Sequence, residues 1–305
     1  MKAIVTGADG FVGSTLVADL LANGYEVLAI DLSENPRRLD TSNKKLKYFS
    51  HSIDDIGFLT KEVVKGEYDF FFHFAWRGSA GPERADEGIQ LANAILTAKS
   101  LREAAAIGCR RFICAGSIME FEVNQVIYEQ GSKPGMPYIY GAGKTIAHEI
   151  CKPIANNLGI DLVWAYITNA YGVGESSPRF LNSTLRKIIH GEKLEFTSGV
   201  QNYDFIYVTD VAKAFRLIAE KGAANKAYLI GSGEAKPLKD FINDIIDELK
   251  PAQEPLFASI PYTGVMTPIE TFSISEIRTD CGFKPEVSFK TGVRKTYEWL
   301  KGLEK

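Results

Sequence analysis

The stretch YGAGK contains two residues that could move a proton, Tyr140 and Lys144, four positions apart in a predicted helix. That spacing places both side chains on one helix face, where the ammonium group can stabilise a phenolate. The same spacing recurs at Tyr297 and Lys301, so spacing alone identifies no site. Ser117 favours the first pair, because it follows the predicted fifth strand at the sheet edge where open α/β sheets bind ligands.

The stretch VTGADGFVGS places three glycines, Gly7, Gly10 and Gly13, at a spacing of three behind a short apolar run. Where a strand ends and a helix begins, the first glycine permits the tight turn and the second lets backbone approach a pyrophosphate. The third lets the helix pack on the strand, and the helix N-terminus faces the phosphates. The motif therefore predicts a dinucleotide site rather than a simple flexible turn.

Asp31 ends the second predicted strand. A carboxylate at this place accepts hydrogen bonds from the adenosine ribose hydroxyls. Its negative charge would repel the extra phosphate of NADP, so the sequence favours NAD. Arg37 and Arg38 follow closely and leave NADP open as the alternative.

Short apolar runs alternate with amphipathic stretches through the first half of the chain. The runs suit strands buried on both faces and cover 2–6, 25–31, 46–50, 69–75, 110–115 and 161–167. The amphipathic stretches predict helices and include 11–23, 85–107 and 141–158. This alternation predicts an α/β fold with a Rossmann-like, doubly wound parallel sheet.

The second half of the chain is less regular and contains most of the prolines. We predict an NAD-binding Rossmann domain over 1–172, extended by about 204–220. A smaller C-terminal substrate-binding domain is expected from 173–203 and 221–305. The active cleft would lie between the two domains.

The composition of the chain indicates which classes of binding partner to expect. The chain has 305 residues, 45% of them hydrophobic, and a net charge of −3, which favours a small-molecule substrate over nucleic acid or a membrane. The four cysteines and four histidines lack metal-ligand spacing, so no metal is expected, and so few cysteines form no disulfide framework. We found no signal peptide and no apolar stretch of membrane-spanning length, so a cytoplasmic location is expected.

The motifs together resemble the extended short-chain dehydrogenase/reductase family, in particular its NAD-dependent epimerase/dehydratase group, which acts mainly on nucleotide sugars. They follow the family order across nearly the whole chain. The matching pieces are TGADGFVG (6–13), Asp31, HSIDD (51–55), HFAW (73–76), Asn93 with Thr97, AGSIMEF (115–121), YGAGK (140–144), NAYGVG (169–174), DFIYVTDVAKA (204–214) and GFKP (282–285).

The resemblance implies a role for each matching residue. Tyr140 would move a proton to or from a sugar hydroxyl, Ser117 would hydrogen-bond the same oxygen, and Lys144 would support the phenolate. His73 would be structural. The implied catalytic residues are Ser117, Tyr140 and Lys144. The implied cofactor-binding residues are Gly7, Asp9, Gly10, Phe11, Val12, Gly13, Asp31, Asp54, Ala75, Asn93, Tyr140 and Lys144. The implied substrate-binding residues are Trp76, Ser117, Asn169, Arg179 and Tyr203.

The sequence departs from the family at the substrate side. Tyr203 stands where many members have an arginine that pairs with the substrate diphosphate, and Tyr166 replaces another family arginine. A basic group on the preceding segment either replaces that charge or forms a solvated helix face; it comprises Arg179, Arg186, Lys187 and Lys193. A reductase of a non-nucleotide carbonyl substrate, or a non-catalytic dinucleotide-binding sensor, therefore remains as an alternative function.

The reaction class depends on the residues after Ser117. Sugar 4,6-dehydratases and decarboxylases of the family have carboxylates there, whereas this chain has Ile118 and Met119. Glu120 would be turned away if the segment continued as a strand. We therefore expect a 4-epimerase or a 4-keto-6-deoxysugar reductase.

A homodimer is also expected, because related proteins pair two helices across a twofold axis as a four-helix bundle. The corresponding helices here are 85–107 and 141–158. Their small and apolar residues include Ala92, Ile95, Ala98, Ala147 and Ile150.

Overall fold

The computed structural model describes residues 1–304 except 129–132, 263 and 265. The strands within these residues are β1 (Lys2–Thr6), β2 (Glu26–Asp31), β3 (Leu46–Ser50), β4 (Phe70–His73), β5 (Arg111–Ser117), β6 (Asp161–Ile167), β7 (Asn169–Tyr171), β8 (Leu194–Glu195), β9 (Asn202–Tyr203), β10 (Phe205–Tyr207), β11 (Ala227–Ile230), β12 (Lys236–Pro237) and β13 (Pro255–Leu256). The α-helices are α1 (Phe11–Ala22), α2 (Leu59–Glu62), α3 (Glu87–Ala106), α4 (Met119–Tyr128), α5 (Tyr138–Leu158), α6 (Phe180–His190), α7 (Val208–Lys221), α8 (Leu238–Leu249), α9 (Ser275–Cys281) and α10 (Phe289–Leu303). Short 3-10 turns lie at Ile53–Phe58, Pro82–Ala85 and Ile269–Phe272.

The main sheet has seven parallel strands in the order β11-β6-β5-β4-β1-β2-β3. The chain moves outward from β1 in both directions, so the strand order turns back between β1 and β4. Such a switch point leaves a crevice at the carboxyl ends of the strands. The Rossmann-like fold class predicted from the sequence is confirmed.

Helices cover both faces of this sheet, as the continuous apolar runs require. Alternate residues of β1 point to opposite faces: Val5 packs in one core with Leu16 of α1 and Phe215 of α7. Ile4 packs in the other core with Leu101 of α3, and α5 contributes to the same core. The two cores fix the sheet between its helix layers.

A third core lies outside the main sheet and joins segments from the second half of the chain. Leu185, Phe205, Phe241 and Phe289 contribute to it. In the 204–220 segment, β10 pairs with β7 in a separate two-stranded sheet, and α7 packs on α1. Strand β11 completes the main sheet although it belongs to the range assigned to the smaller domain. The domain division stays a prediction.

Candidate active site

One cavity lies at the carboxyl ends of the parallel strands, beside the switch point. It encloses about 490 Å³ and brings together the glycine motif, Asp31, Ser117, Tyr140 and Lys144. These groups are far apart in the sequence, and the strand order alone brings them to one edge of the sheet. The other predicted site residues that line this cavity are Gly7, Gly10, Phe11, Val12, Gly13, Asp54, Ala75, Trp76, Asn93 and Arg179.

The glycine motif is a tight turn, in which two of the glycines have no room for a side chain. Gly7 adopts a φ of +68°, and a Cβ there would lie 2.7 Å from the Ala75 nitrogen. A Cβ on Gly13 would lie 2.1 Å from the Gly7 carbonyl oxygen. Gly10 then begins α1 with no side-chain cap, so the amide groups at this helix N-terminus are available to an anionic ligand.

Asp31 holds the glycine motif from the neighbouring strand. Its carboxylate accepts hydrogen bonds from the Asp9 amide at 2.9 Å and the Leu32 amide at 2.7 Å. The Asp9 carboxylate in turn accepts from the amides of Arg37 and Arg38 at 3.0 and 2.7 Å. Asp9 itself does not line the cavity. It fastens the loop after β2 to the glycine motif.

Helix α5 presents Tyr140 and Lys144 to the cavity one turn apart, both nearly buried. The Lys144 ammonium donates a hydrogen bond to the Ala115 carbonyl oxygen at 2.7 Å. Ser117 ends β5 on the same wall, and its hydroxyl oxygen accepts from the Met119 amide at 3.2 Å. A hydroxyl, a phenol and an ammonium group therefore meet around one space.

Trp76 covers this group from the loop after β4. The Lys144 Nζ lies 3.6 Å from the centroid of a Trp76 ring, a cation–π contact. Trp76 and Tyr140 meet edge to face, with ring centroids 6.2 Å apart. The Trp76 Nε1 donates to the Gln90 side-chain oxygen at 2.8 Å. Gln90 was not among the residues predicted from the sequence.

The residues around this cavity fall within the match to a known enzyme family. The profile of the NAD-dependent epimerase/dehydratase family matches residues 3–231, which contain all the groups just described. This chain belongs to that family. It is an NAD-dependent enzyme of the extended short-chain dehydrogenase/reductase type, which confirms the family, enzyme class and cofactor predicted from the motifs.

Relatives within this family match nearly the whole chain. The chain is 23% identical to the dTDP-glucose 4,6-dehydratase of Salmonella typhimurium, over 98% of its own length and 92% of that protein. It is 26% identical to the UDP-glucose 4-epimerase of Mycolicibacterium smegmatis, over 99% of each. The solved UDP-glucuronic acid 4-epimerase from Bacillus cereus, with UDP-glucuronic acid and NAD, has a TM-score of 0.79 at 23% identity and coverages of 99% and 100%. This structural likeness supports the fold.

Two residues that the family resemblance placed on the substrate side do not line the cavity. The Asn169 side chain donates to the Asp204 carbonyl oxygen at 3.0 Å and thereby joins β7 to β10. Tyr203 stacks on Phe205, with ring centroids 5.6 Å apart, and burial raises the pKa of its phenol. Both residues are half-buried.

Of the four basic residues preceding Tyr203, Arg179 alone lines the cavity. Its guanidinium lies 3.7 Å from the Glu175 carboxylate and donates to the Ser79 carbonyl oxygen at 3.3 Å. Its Nε is buried and makes no hydrogen bond to any residue that the structure describes. Arg186 instead pairs with Glu304. The charge available to a substrate in this segment is therefore that of Arg179.

Asn93 and His73 make hydrogen bonds that fix segments next to the cavity. The Asn93 amide exchanges two hydrogen bonds with the backbone of Arg77, at 3.1 and 2.7 Å, and so fixes the loop after β4. His73 is buried between the hydroxyls of Thr6 and Thr97, at 2.9 and 3.2 Å. Burial lowers the pKa of His73 to about 3, helped by the Lys144 charge. The imidazole is neutral, and its contacts are those of a structural residue.

Glu120 lies in α4, and the strand continuation considered from the sequence was wrong, because α4 begins at Met119. The helix carries the Glu120 side chain away from the cavity and behind Ser117. One carboxylate oxygen accepts from the Ser117 amide at 2.8 Å and from the Trp164 Nε1 at 3.1 Å. His148 stacks on Trp164. Burial raises the pKa of Glu120 to about 7.

This buried carboxyl predicts a pH-dependent stability. The unfolded chain releases the Glu120 proton near pH 4.5, whereas the folded chain keeps it until about pH 7. The folded state thus binds more protons in this window, and rising pH favours unfolding by up to about 3 kcal/mol. Glu120→Gln keeps an acceptor oxygen without the ionisation. We expect its unfolding free energy, relative to wild type, to rise by about this amount between pH 4.5 and 8 in urea titrations.

The matched control for this prediction is Glu149→Gln, which removes an exposed carboxylate of α5. The His148 Nδ1 lies 3.9 Å from the Glu120 carboxylate, but burial lowers the pKa of His148 to about 4, so this imidazole titrates below the pH range of the comparison. A difference between Glu120→Gln and wild type that stays constant over the pH range would contradict the prediction.

Sequence reasoning also missed Arg84 and Glu122. Arg84 lies in the Pro82–Ala85 turn with its guanidinium carbon 4.4 Å from the Tyr140 ring centroid. The Glu122 carboxylate is close enough to favour the charged form of Arg84. An arginine in a turn matches no motif, so the sequence carried no signal for it.

The described part of the chain contains neither a membrane-spanning helix nor a metal-ion site. No helix there combines the length and apolar character needed to cross a membrane. No group of three or more His, Cys, Asp or Glu side chains there is arranged to hold a metal ion.

Proposed function

We propose that this enzyme catalyses reversible hydride transfer at a carbon of a nucleotide sugar, as a 4-epimerase or as a reductase of a 4-keto-6-deoxy sugar. One observation carries the proposal: a single cavity joins the glycine motif and Asp31 to Ser117, Tyr140 and Lys144. A dinucleotide bound along this cavity would extend from the glycine motif toward the proton-transfer residues. The relatives named above act on nucleotide sugars, which supports the substrate class.

The residues present fit NAD. Gly7 and Gly13 pack so closely that a Cβ on either would collide with backbone atoms of the chain. Helix α1 begins beside this tight turn without a side-chain cap, which leaves its first amide groups available to a pyrophosphate. Asp31 would hold the adenosine ribose, and Asp54 lies in the same wall for the adenine. Asn93 lines the cavity and also fixes the Arg77 loop. Asp9 would act through the Asp31 contact rather than by touching the cofactor.

Three side chains would perform the proton transfer. Bound NAD supplies the acceptor, or as NADH the donor, of a hydride at the sugar carbon. Tyr140 would take or return the proton of the hydroxyl on that carbon, and Ser117 would hydrogen-bond the same oxygen. Lys144 supplies positive charge in a nearly buried setting, where it favours the phenolate more strongly than in water.

The residues after Ser117 limit the reaction to this step. Neither Ile118 nor Met119 can exchange a proton. The Glu120 carboxyl is occupied by the Ser117 amide and the Trp164 indole and does not line the cavity. Elimination of water would need an acid for the departing hydroxyl and a base for the neighbouring carbon. We therefore propose neither dehydratase nor decarboxylase activity.

A panel of nucleotide hexoses, nucleotide hexuronates and 4-keto-6-deoxy sugars tests this reaction class by mass spectrometry. An epimer with no net change in NADH supports the epimerase, and stoichiometric NADH consumption supports the reductase. A product lighter by one water or one carbon dioxide would show that the argument from Ile118 and Met119 is wrong.

The second candidate is a reductase of a non-nucleotide carbonyl substrate. It is favoured by Tyr203, which replaces the diphosphate-binding arginine and is buried against Phe205. For the nucleotide-sugar proposal, Arg179 would bind the diphosphate, and Trp76 and Ser117 would contact the sugar. Thermal stabilisation by nucleoside diphosphates, lost in Arg179→Gln, supports that proposal. A protein that binds NAD but turns over neither substrate class would be the dinucleotide sensor.

We predict that NAD(H) binds more tightly than NADP(H). Asp31 would face the ribose hydroxyl that carries the extra phosphate of NADP. Of the two arginines that follow, Arg38 is engaged elsewhere: its guanidinium donates to the carbonyl oxygens of Asp9 and Gly174 at 3.2 and 3.0 Å. Fluorescence titration of both dinucleotides at equal salt measures the preference. Tighter binding of NADP(H) would refute it.

A homodimer through α3 and α5 is a further part of the proposal. The two helices pack together and expose large apolar side chains, with Leu91, Ile95 and Ile150 each more than 40% exposed. Ala147, named above for this surface, is fully buried in the chain's own core and would not contribute. Light scattering at micromolar concentration is expected to give the dimer mass, and a monomer mass would reject the dimer.

A cytoplasmic location is also proposed. Its support is that Cys109, Cys114, Cys151 and Cys281 are all free and buried, as is common in reducing compartments. Fractionation of the source cells would test it.

A further inference from the structure

The short turn Pro82–Ala85 between β4 and α3 places Arg84 against Tyr140, although Arg84 itself does not line the cavity. Buried Gln90 holds this turn, because its side-chain amide donates to the carbonyl oxygens of Gly78 and Glu83 at 3.1 and 3.0 Å. Asp86 ends the turn and caps α3 by accepting from the Ile89 amide at 2.8 Å. The position of Arg84 is therefore fixed by buried and capping hydrogen bonds.

The turn places the Arg84 guanidinium carbon 4.4 Å from the centroid of the Tyr140 ring. Trp76 contacts the same ring edge to face and is held by the Gln90 oxygen. One buried amide side chain thus fixes two neighbours of the phenol. A guanidinium this close to an aromatic ring is attracted to it, and the attraction grows when the site is desolvated.

The charge on Arg84 is not cancelled by a direct ion pair. Among the described residues, no carboxylate lies within 4.0 Å of its nitrogens, and its buried Nε makes no hydrogen bond. Burial lowers the pKa of the Arg84 guanidinium, and Arg179 acts in the same direction, whereas Tyr140, Glu122 and Tyr203 favour its charged form. Burial also raises the pKa of Glu122 to about 7, so near neutral pH this carboxyl offsets only part of the positive charge.

We propose that Arg84 is a positioning residue that favours the phenolate form of Tyr140, in addition to Lys144, while holding its ring against Trp76. The two cations reach the phenol from different elements: Lys144 from the same helix, and Arg84 from the Pro82–Ala85 turn. The role in turnover rests on the proposed function, whereas the effect on the phenol does not.

Titration of the tyrosines by NMR, with carbon-13 at the ring carbon that bears the hydroxyl, tests the effect without any substrate. The Tyr140 signal is identified by its absence in Tyr140→Phe. In Arg84→Gln we expect this signal to reach its phenolate position at a pH higher than in wild type by about one unit or more. Arg84→Lys, which restores a charge, should fall between them. An unchanged titration in both variants would overturn the proposal.

Arg110→Gln is the matched control, because Arg110 lies 4.3 Å from the Phe70 ring centroid and outside the cavity. It should leave the Tyr140 signal unchanged, and NAD binding by each variant checks that it is folded.

Once a substrate is known, the pH dependence of kcat gives a second test. Measured in the direction of sugar oxidation, in which Tyr140 takes the proton, Arg84→Gln should lower kcat about tenfold near neutral pH, with the loss shrinking as pH rises and KM changing little. A loss that is equal at every pH would mean that Arg84 has only a structural or binding role, and would also overturn the proposal. If no panel substrate is turned over, the proposed function fails while the NMR titration still decides the effect of Arg84.

Discussion

Tyr140→Phe is expected to lower turnover by a factor on the order of 100 to 10,000, the usual contribution of one positioned acid or base. The substitution removes the phenolic hydroxyl and keeps the ring, so the contacts with Trp76 and Arg84 remain. NAD affinity should change little. Steady-state kinetics on the substrate found in the panel, together with NAD titration, measure the two effects separately.

The chain supplies its own control for this substitution. Tyr297 and Lys301 repeat the spacing of the active pair on α10, with the Lys301 Nζ 5.7 Å from the Tyr297 ring centroid. They lie outside the cavity. Tyr297→Phe should therefore leave turnover at the wild-type level. Near-wild-type turnover in Tyr140→Phe would remove this residue from the mechanism.

The first half of the fold was predictable because its strands are buried on both faces. β1 and β6 have the predicted bounds, since a continuous apolar run leaves little choice of register or face. The edge strand β3 also has the predicted bounds, although only Leu46 in it is buried. The glycine motif and Asp31 were predictable for a related reason. Their chemistry depends on a local strand-turn-helix segment, and the parallel topology then carries Ser117 and Tyr140 to the same edge.

The substrate side could not be predicted in the same way, because its positions depend on contacts distant in sequence. Tyr203 lies in β9, whose partner is β12 at Lys236, and its burial follows from that pairing. Arg84 reaches Tyr140 only because Gln90 holds its turn. The orientation of Glu120 was predicted from the alternation of side chains along a strand, whereas Glu120 lies in α4, which begins one residue earlier at Met119. No local sequence pattern predicts the positions of these three side chains.

Gly13→Ala is expected to weaken NAD binding by roughly 5-fold to 100-fold. The added Cβ would lie 2.1 Å from the Gly7 carbonyl oxygen, much closer than two such atoms can approach. Backbone must therefore move, and the cost of overpacking a fixed core is about 1 to 3 kcal/mol, or roughly up to 100-fold in affinity if it distorts the pyrophosphate surface. The Gly7 oxygen also accepts from the Gly10 amide at 3.1 Å, so the displacement reaches the middle of the motif. Isothermal titration with NAD measures the loss.

Stability and binding must be separated in this variant, because the same clash can also loosen α1. A thermal melt without NAD gives the stability change alone, and binding is then compared at a temperature where both proteins are folded. Gly302→Ala is the control, since a Cβ there meets nothing within 4 Å and the residue lies near the end of α10. An affinity of Gly13→Ala within about threefold of wild type, in a folded protein, would be a difference of only about 0.6 kcal/mol. That result would mean that the turn tolerates a side chain and that the close approach of α1 to Gly7 does not shape the pyrophosphate site.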